Sequence, residues 1–316
     1  MRIVSLLPSA TEIICALGLE EYLVGVTHEC DFPAFVDALP KVTRTLIPSG
    51  ATSAEIDRLV RERLRTNRAL YMLDLPMLEA LRPDLLVTQA LCDVCAVAEE
   101  EVRAAACELP GSPRVVNLQP QTLHDVFASI RQVAEAAGVE RRADALIARL
   151  TQRVEAVATR SARRRVPPPR VALLEWLDPP FCCGHWSPEL VRLAGGTEGL
   201  GRAGQPSRTL RWEDVCAFQP QVVFIACCGF TVERTLFDVE RLAEVPSWRE
   251  LPACRAGEVY VTDGAQYFSR PGPRLVDSLE MLAHTLDPTL HPLPADVPPP
   301  VRLTASPAAG RAVAVG

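Results

Sequence analysis

The chain has 316 residues, 48% hydrophobic and 23% charged, with a formal net charge of −6. A chain of this length usually folds as two domains with large cores. The acidic balance argues against nucleic acid or an anionic membrane surface as a partner, and no stretch approaches the ~20 apolar residues of a membrane span, so no membrane insertion is expected.

Residues 2–7 (RIVSLL) read as a short apolar strand. Pro8-Ser9 turns it into a helix, with Ser9 as the expected N-cap and Glu12 completing a capping-box pattern before the stop at Gly18. Residues 23–27 (LVGVT) form a second strand that runs into His28-Glu29-Cys30-Asp31-Phe32-Pro33. A helix from Ser53 aligns Ile56, Leu59, Val60 and Leu64, and strands follow at 70–74 and 85–88. The latter leads into Cys92-Asp93-Val94-Cys95 and a helix over 97–107; a strand at 114–118 and a helix over 122–137 complete the first half.

A long amphipathic helix comes next. Leu146, Ile147, Leu150, Val154 and Val157 recur at steps of three and four between Gly138 and a stop at Pro167-Pro168-Pro169. Some 25 helical residues would reach about 38 Å, and a β pattern restarts at Arg170. This predicts a spine joining two lobes.

The second half repeats the scheme. Strands are expected at 171–176, 221–226 and 258–262, and helices after Ser187, over 212–218, over 231–242 and over 273–286. Strands alternating with helices imply parallel sheets covered on both faces. The expected fold is therefore α/β: two Rossmann-like lobes at 1–137 and 167–288, a spine at 138–166, and a tail at 289–316 whose proline-rich, aperiodic composition predicts disorder.

The chemically distinctive residues follow predicted strand ends, where open α/β sheets bind ligands. Phe32, Trp176, Trp186, Phe230 and Tyr267 can wall a flat ligand, Arg270 can donate to its rim, and His28 or His185 can ligate a metal as neutral imidazole. A second reading uses the cysteines. Cys92 and Cys95 have the spacing of half a zinc or iron–sulfur site, which Cys30 and Cys228 would complete. The same pair admits a redox role, Cys95 lying near a helix start. No GxSxG, P-loop or HExxH motif points to an enzyme.

The segments RIVSLLPSATEIICALGL, LVGVTHECDFP and LEALRPDLLVTQ, with Pro83-Asp84 echoed by Pro220-Gln221 and with the spine, resemble the helical-spine (class III) solute-binding proteins of ABC importers, nearest their cobalamin-binding branch. The resemblance implies a non-enzymatic protein that holds a corrinoid such as cobalamin, or a related metal chelate, between rigid lobes. The opening residues read as a strand rather than an export signal, and the eleven cysteines suit a reducing compartment. The chain is accordingly expected to be cytoplasmic, in a cytosolic cobalamin-binding-like subgroup, with a small metal-chelate ligand and without an ABC importer as partner.

Overall fold

The computed structural model describes residues 1–48, 50–65, 70–89 and 99–303. They form two lobes: Met1–Pro120, His124–Leu150 and Pro271–Pro273 in the first, and Gln121–Leu123, Thr151–Arg270 and the chain from Arg274 in the second.

The first lobe is built from β1 (Ile3–Ser5), α1 (Pro8–Ala16), β2 (Leu23–Gly25), β3 (Thr43–Thr45), α2 (Ser53–Arg65), β4 (Tyr71–Leu73), α3 (Leu75–Leu81), β5 (Leu85–Gln89), α4 (Glu99–Glu108), β6 (Arg114–Leu118) and α5 (Leu123–Ala137). Its main sheet has the order β2-β1-β5-β6, all parallel. All five residues of β5 are buried, as an unbroken LLVTQ run requires of a strand covered on both faces. Val4, Leu6, Val42, Leu70, Leu78, Leu86 and Val102 form one core cluster. β3 and β4 pair antiparallel as a separate two-stranded sheet.

The expected capping box at Ser9 is not formed. Pro8, whose fixed φ suits the first turn of a helix, starts α1 two residues early and leaves Leu7 as a cap without a side-chain bond. Ser9 is then inside the helix, buried, and its hydroxyl has no partner among the described residues.

The spine is α6 (Glu140–Ser161), 22 residues long and so about 33 Å. It is shorter than the composition suggests, because Arg163 and Arg164 already bond as turns to the carbonyls of Arg160 and Ser161. Leu146, Ile147, Leu150 and Val157 of the predicted stripe are buried. Each end is held within its own lobe. Arg142 donates to the Leu17 and Gly18 carbonyls beyond α1 (3.0 and 2.7 Å), a cation at a helix C-terminus. Arg153 forks onto Asp277 and Glu280 at 2.6 and 2.5 Å.

The second lobe contains β7 (Val171–Leu177), β8 (Pro180–Cys182), α7 (Ser187–Leu193), α8 (Trp212–Phe218), β9 (Val222–Ile225), α9 (Val232–Val239), α10 (Pro252–Ala256), β10 (Val259–Val261), α11 (Leu275–Leu286) and β11 (Val301–Arg302). The sheet order is β11-β10-β9-β7-β8. Its centre is parallel as expected, but both edge strands are antiparallel. Neither edge strand stands out in the sequence: β8 is three residues and β11 two, too short to show a period.

Thus the chain from 289 to 303, expected to be without structure, is ordered. His291 is buried, and β11 pairs with β10 and covers its open edge. His291 Nε2 lies 3.2 Å from the Ser161 hydroxyl, and its backbone carbonyl meets His284 Nδ1 at 2.7 Å.

Two outcomes follow from these ties. Arg153→Ala should cost about 1–2 kcal/mol in denaturant unfolding, the value of charged hydrogen bonds discounted for partial exposure. Burial, then Arg160 and Arg164, hold His291 below the usual histidine range, against the pull of Asp287. The unfolded chain takes up that proton near pH 6.5, so the stabilisation is complete above about 6.5 and is lost as the pH falls through the lower folded pKa. The melting temperature should drop between pH 7.5 and 5.5, and by less in His291→Gln.

Candidate ligand-binding loops

In the first lobe the parallel strands deliver their following loops to one edge of the sheet. After β2, His28 Nδ1 meets the Thr43 hydroxyl at 2.7 Å, and its ring packs 5.3 Å from that of Tyr71. Tyr71 in turn donates to Glu29 at 2.8 Å. Burial outweighs Glu29 and pushes His28 below its usual pKa, so the imidazole is neutral at pH 7. Its Nε2 is buried and without a partner among the described residues.

Cys30 is 2% exposed, and its sulfur sits 3.1 and 3.2 Å from the hydroxyls of Thr11 and Thr27. Thr11 also donates to Ser5 at 2.8 Å. The thiol therefore belongs to a hydroxyl network that ties α1 to the loop after β2. Phe32 and Phe35 each stand 42% exposed. Phe35 was not singled out from the sequence, although its three-residue spacing from Phe32 was the available signal.

Beyond the strands of the second lobe the aromatic residues gather. Trp176, near the end of β7, packs against Phe230, after β9, with ring centroids 4.6 Å apart. The Arg234 guanidinium lies 4.3 Å over Phe230 and 5.7 Å from Phe237, and pairs with the buried Asp238 at 2.9 Å. Arg234 and Phe237 are further residues that sequence reading missed. Phe237 is 61% exposed on a helix that is otherwise regularly amphipathic, and such a misplaced aromatic was the signal. The loop carrying Phe230 turns at Gly229, φ 73°.

The other sequence-predicted residues divide by burial. His185 is half-buried; its Nδ1 bonds Gln121 at 2.9 Å and its ring stacks on Trp186. Trp186, 4% exposed, donates to the Phe268 carbonyl at 2.7 Å, and Phe230 is buried too. Tyr267 is also buried, under the Arg274 guanidinium at 4.6 Å. Arg270 is buried as well. The structure thus brings together Trp176 with Phe230 and His185 with Trp186.

The cysteine reading gains no support. Among the described residues no group of three or more His, Cys, Asp or Glu is placed to hold a metal ion. Cys30 is engaged as above, and Cys228 is half-buried in the second lobe. Cys92 and Cys95 lie outside the described residues. Burial pushes the Cys182, Cys183 and Cys227 thiols up, so they stay protonated and inert.

Residues 3–265 match the family model described as "Periplasmic binding protein". The chain belongs to that family. Among curated relatives, the vitamin B12-binding protein of Vibrio cholerae is 24% identical over 288 residues, covering 89% of this chain and 87% of the relative. The uncharacterized ABC transporter substrate-binding lipoprotein YvrC of Bacillus subtilis is 22% identical over 291 residues, covering 91% and 80%. A periplasmic heme-binding protein from Pseudomonas aeruginosa has the same fold, with TM-score 0.72, 22% identity and coverage of 97% and 99%. So has the periplasmic vitamin B12-binding protein of Vibrio cholerae, with TM-score 0.63, 22% identity and coverage of 90% and 96%.

Family membership bears out a bilobed binding protein rather than an enzyme. It overturns three linked expectations: the cytosolic subgroup, the cytoplasmic location, and the exclusion of an ABC importer as partner. All three leaned on the first residues and on cysteine content. Those residues form β1 and α1 of the lobe, a structural duty that carries no address, and buried protonated thiols suit any compartment. No helix among the described residues is long and apolar enough to cross a membrane.

A close approach joins the loops after β9 and β10 of the second lobe. A Cβ on Gly264, after β10, would overlap the Cys227 carbonyl, after β9. Gly264→Ala should therefore cost about 1–3 kcal/mol, as overpacking does, and should displace the Cys227–Phe230 turn. Denaturant unfolding and the fluorescence of Trp176 against Phe230 would register both.

Proposed function

We propose that this protein binds a planar metal chelate of the tetrapyrrole class, a corrinoid or haem, outside the cytoplasm and passes it to an ABC importer. The observation that carries the reading is half-buried Trp176 packed on Phe230, with the Arg234 guanidinium over that ring, where the parallel strands β7 and β9 end. Large aromatic surfaces suit the flat, apolar face of such a macrocycle, and a guanidinium suits amides or carboxylates at its rim. Phe32, held out on the first lobe, offers another apolar contact. The names of the relatives, vitamin B12-binding and heme-binding, are of the same ligand class.

The finer assignment favours the corrinoid. The cations on these loops already face acids or amides: Arg234 with Asp238, Arg241 with Asp178 at 3.4 Å, and Arg274 with Gln266 at 3.0 Å. A rim of neutral amides fits paired cations better than a pair of carboxylates does.

Calorimetric titration with cyanocobalamin and with haemin tests the proposal. Cyanocobalamin should bind the tighter, and Trp176→Ala or Phe230→Ala should each weaken it about tenfold. A wild-type protein that takes up neither compound overturns the reading.

A further inference from the structure

Two cysteines that the ligand reading does not use stand on neighbouring helices of the second lobe. Cys216 lies on α8 and Cys254 on α10, and both are half-buried free thiols. Their setting differs from that of Cys182, Cys183 and Cys227, which are sealed in the interior.

Three contacts lay α8 along the segment 246–254. Trp212 meets Trp248 edge-on, with ring centroids 5.6 Å apart. Cys216 stands four residues after Trp212, on the same helix face, and its sulfur lies 3.9 Å from the Pro246 carbonyl oxygen. Where the chain leaves α8, the Pro220 carbonyl accepts a hydrogen bond from Ala253 N at 3.0 Å, in the first turn of α10. Cys216 is therefore on the contacting face, and Cys254 is next to the bonded Ala253. Burial, and then the Cys216 beside it, push the Cys254 thiol up to about 11. Burial, followed by Glu213 and by Glu250 of the same segment, raises Cys216 as well. Thiols of high pKa leave slowly from a disulfide, so a bond between such thiols resists reduction and serves as a durable link rather than a catalytic one.

We propose that Cys216 and Cys254 form a structural disulfide that staples α8 to α10. The inference rests on the extracytoplasmic part of the reading above and not on its ligand, because disulfides form and persist in such compartments. The bond forms by exchange with an oxidant that is itself a disulfide. The Cys216 thiolate attacks one sulfur of the oxidant, whose S–S bond breaks and releases one thiolate. The Cys254 thiolate then attacks the Cys216 sulfur of the mixed disulfide and releases the second. The two cysteines lose two electrons and two protons, and the oxidant takes up both as two thiols. Closing the chain between the cysteines into a loop restricts the unfolded state and so stabilises the fold.

The test takes the full chain, reduced and then treated with glutathione disulfide under mildly alkaline conditions, with the remaining thiols blocked before digestion. Trypsin without reductant should yield a cross-linked species joining residues 250–255, whose one cysteine is Cys254, to residues 212–234. That species should be absent from Cys254→Ser, and from Cys216→Ser, which still carries Cys227 and Cys228 in the longer peptide. Oxidised wild type should melt about 5 °C above reduced wild type, and each variant should melt at one temperature in both states. Absence of the cross-link in the wild type, its survival in Cys216→Ser, or an oxidised wild type that melts no higher than the reduced one would overturn the proposal. The cross-link forms or fails in the test tube whatever the location of the protein, and uptake of cyanocobalamin or haemin by the same samples reads the ligand proposal separately.

Discussion

Parallel strand pairing is the constraint on which this molecule depends. β1, β2, β5 and β6 all run one way in the first lobe, and β7, β9 and β10 do so in the second. Consecutive parallel strands need a crossover on the sheet face, so helices bury both faces and the strands become continuous apolar runs. Little remains for chemistry except the loops that follow the strands, and parallel pairing gathers those at one edge of each sheet. The polar, aromatic and sulfur-bearing residues stand there for that reason.

The two loop sets differ in character. In the first lobe, hydroxyls and a thiol close on one another: Ser5, Thr11, Thr27 and Cys30 bond mutually and fix the entrance of α1 against the next loop. In the second lobe, rings and guanidinium groups alternate, as in Trp176–Phe230–Arg234 and Tyr267–Arg274. The first arrangement is rigid and inward-looking. The second leaves Trp176 half-buried and Phe237 exposed, with Phe230 and Tyr267 buried beneath guanidinium groups, and the open rings suit capture of a broad apolar ligand. That difference also answers the cysteine question in physical terms. A sulfur held between two hydroxyls, or buried with a raised pKa, is packing material, whatever its spacing suggests.

Much of this was legible before the fold was seen. The alternation of strands and helices, the long amphipathic helix ending near the triple proline, and the clustering of unusual residues after strands are local patterns, and the family resemblance follows the same segments. What stayed illegible was short or relational. β8 and β11 are too brief for a period, and they exist because β7 and β10 offer open edges. Ser9 looked like a cap, but the proline before it took the first turn. Trp186 is tied to the Phe268 carbonyl, 82 positions away, which its local sequence does not show.

By itself, then, the order of residues determined the fold class, the spine and where the aromatic, histidine and cysteine residues fall relative to the strands, since periodicity and helix stops act over a few neighbouring residues. Only the tertiary structure decided which aromatics stay open, which thiols are inert and which partner His185 meets. Those properties are set by partners far along the chain. Gln121 lies 64 positions from His185, and nothing in the local sequence of either residue records that the two will meet.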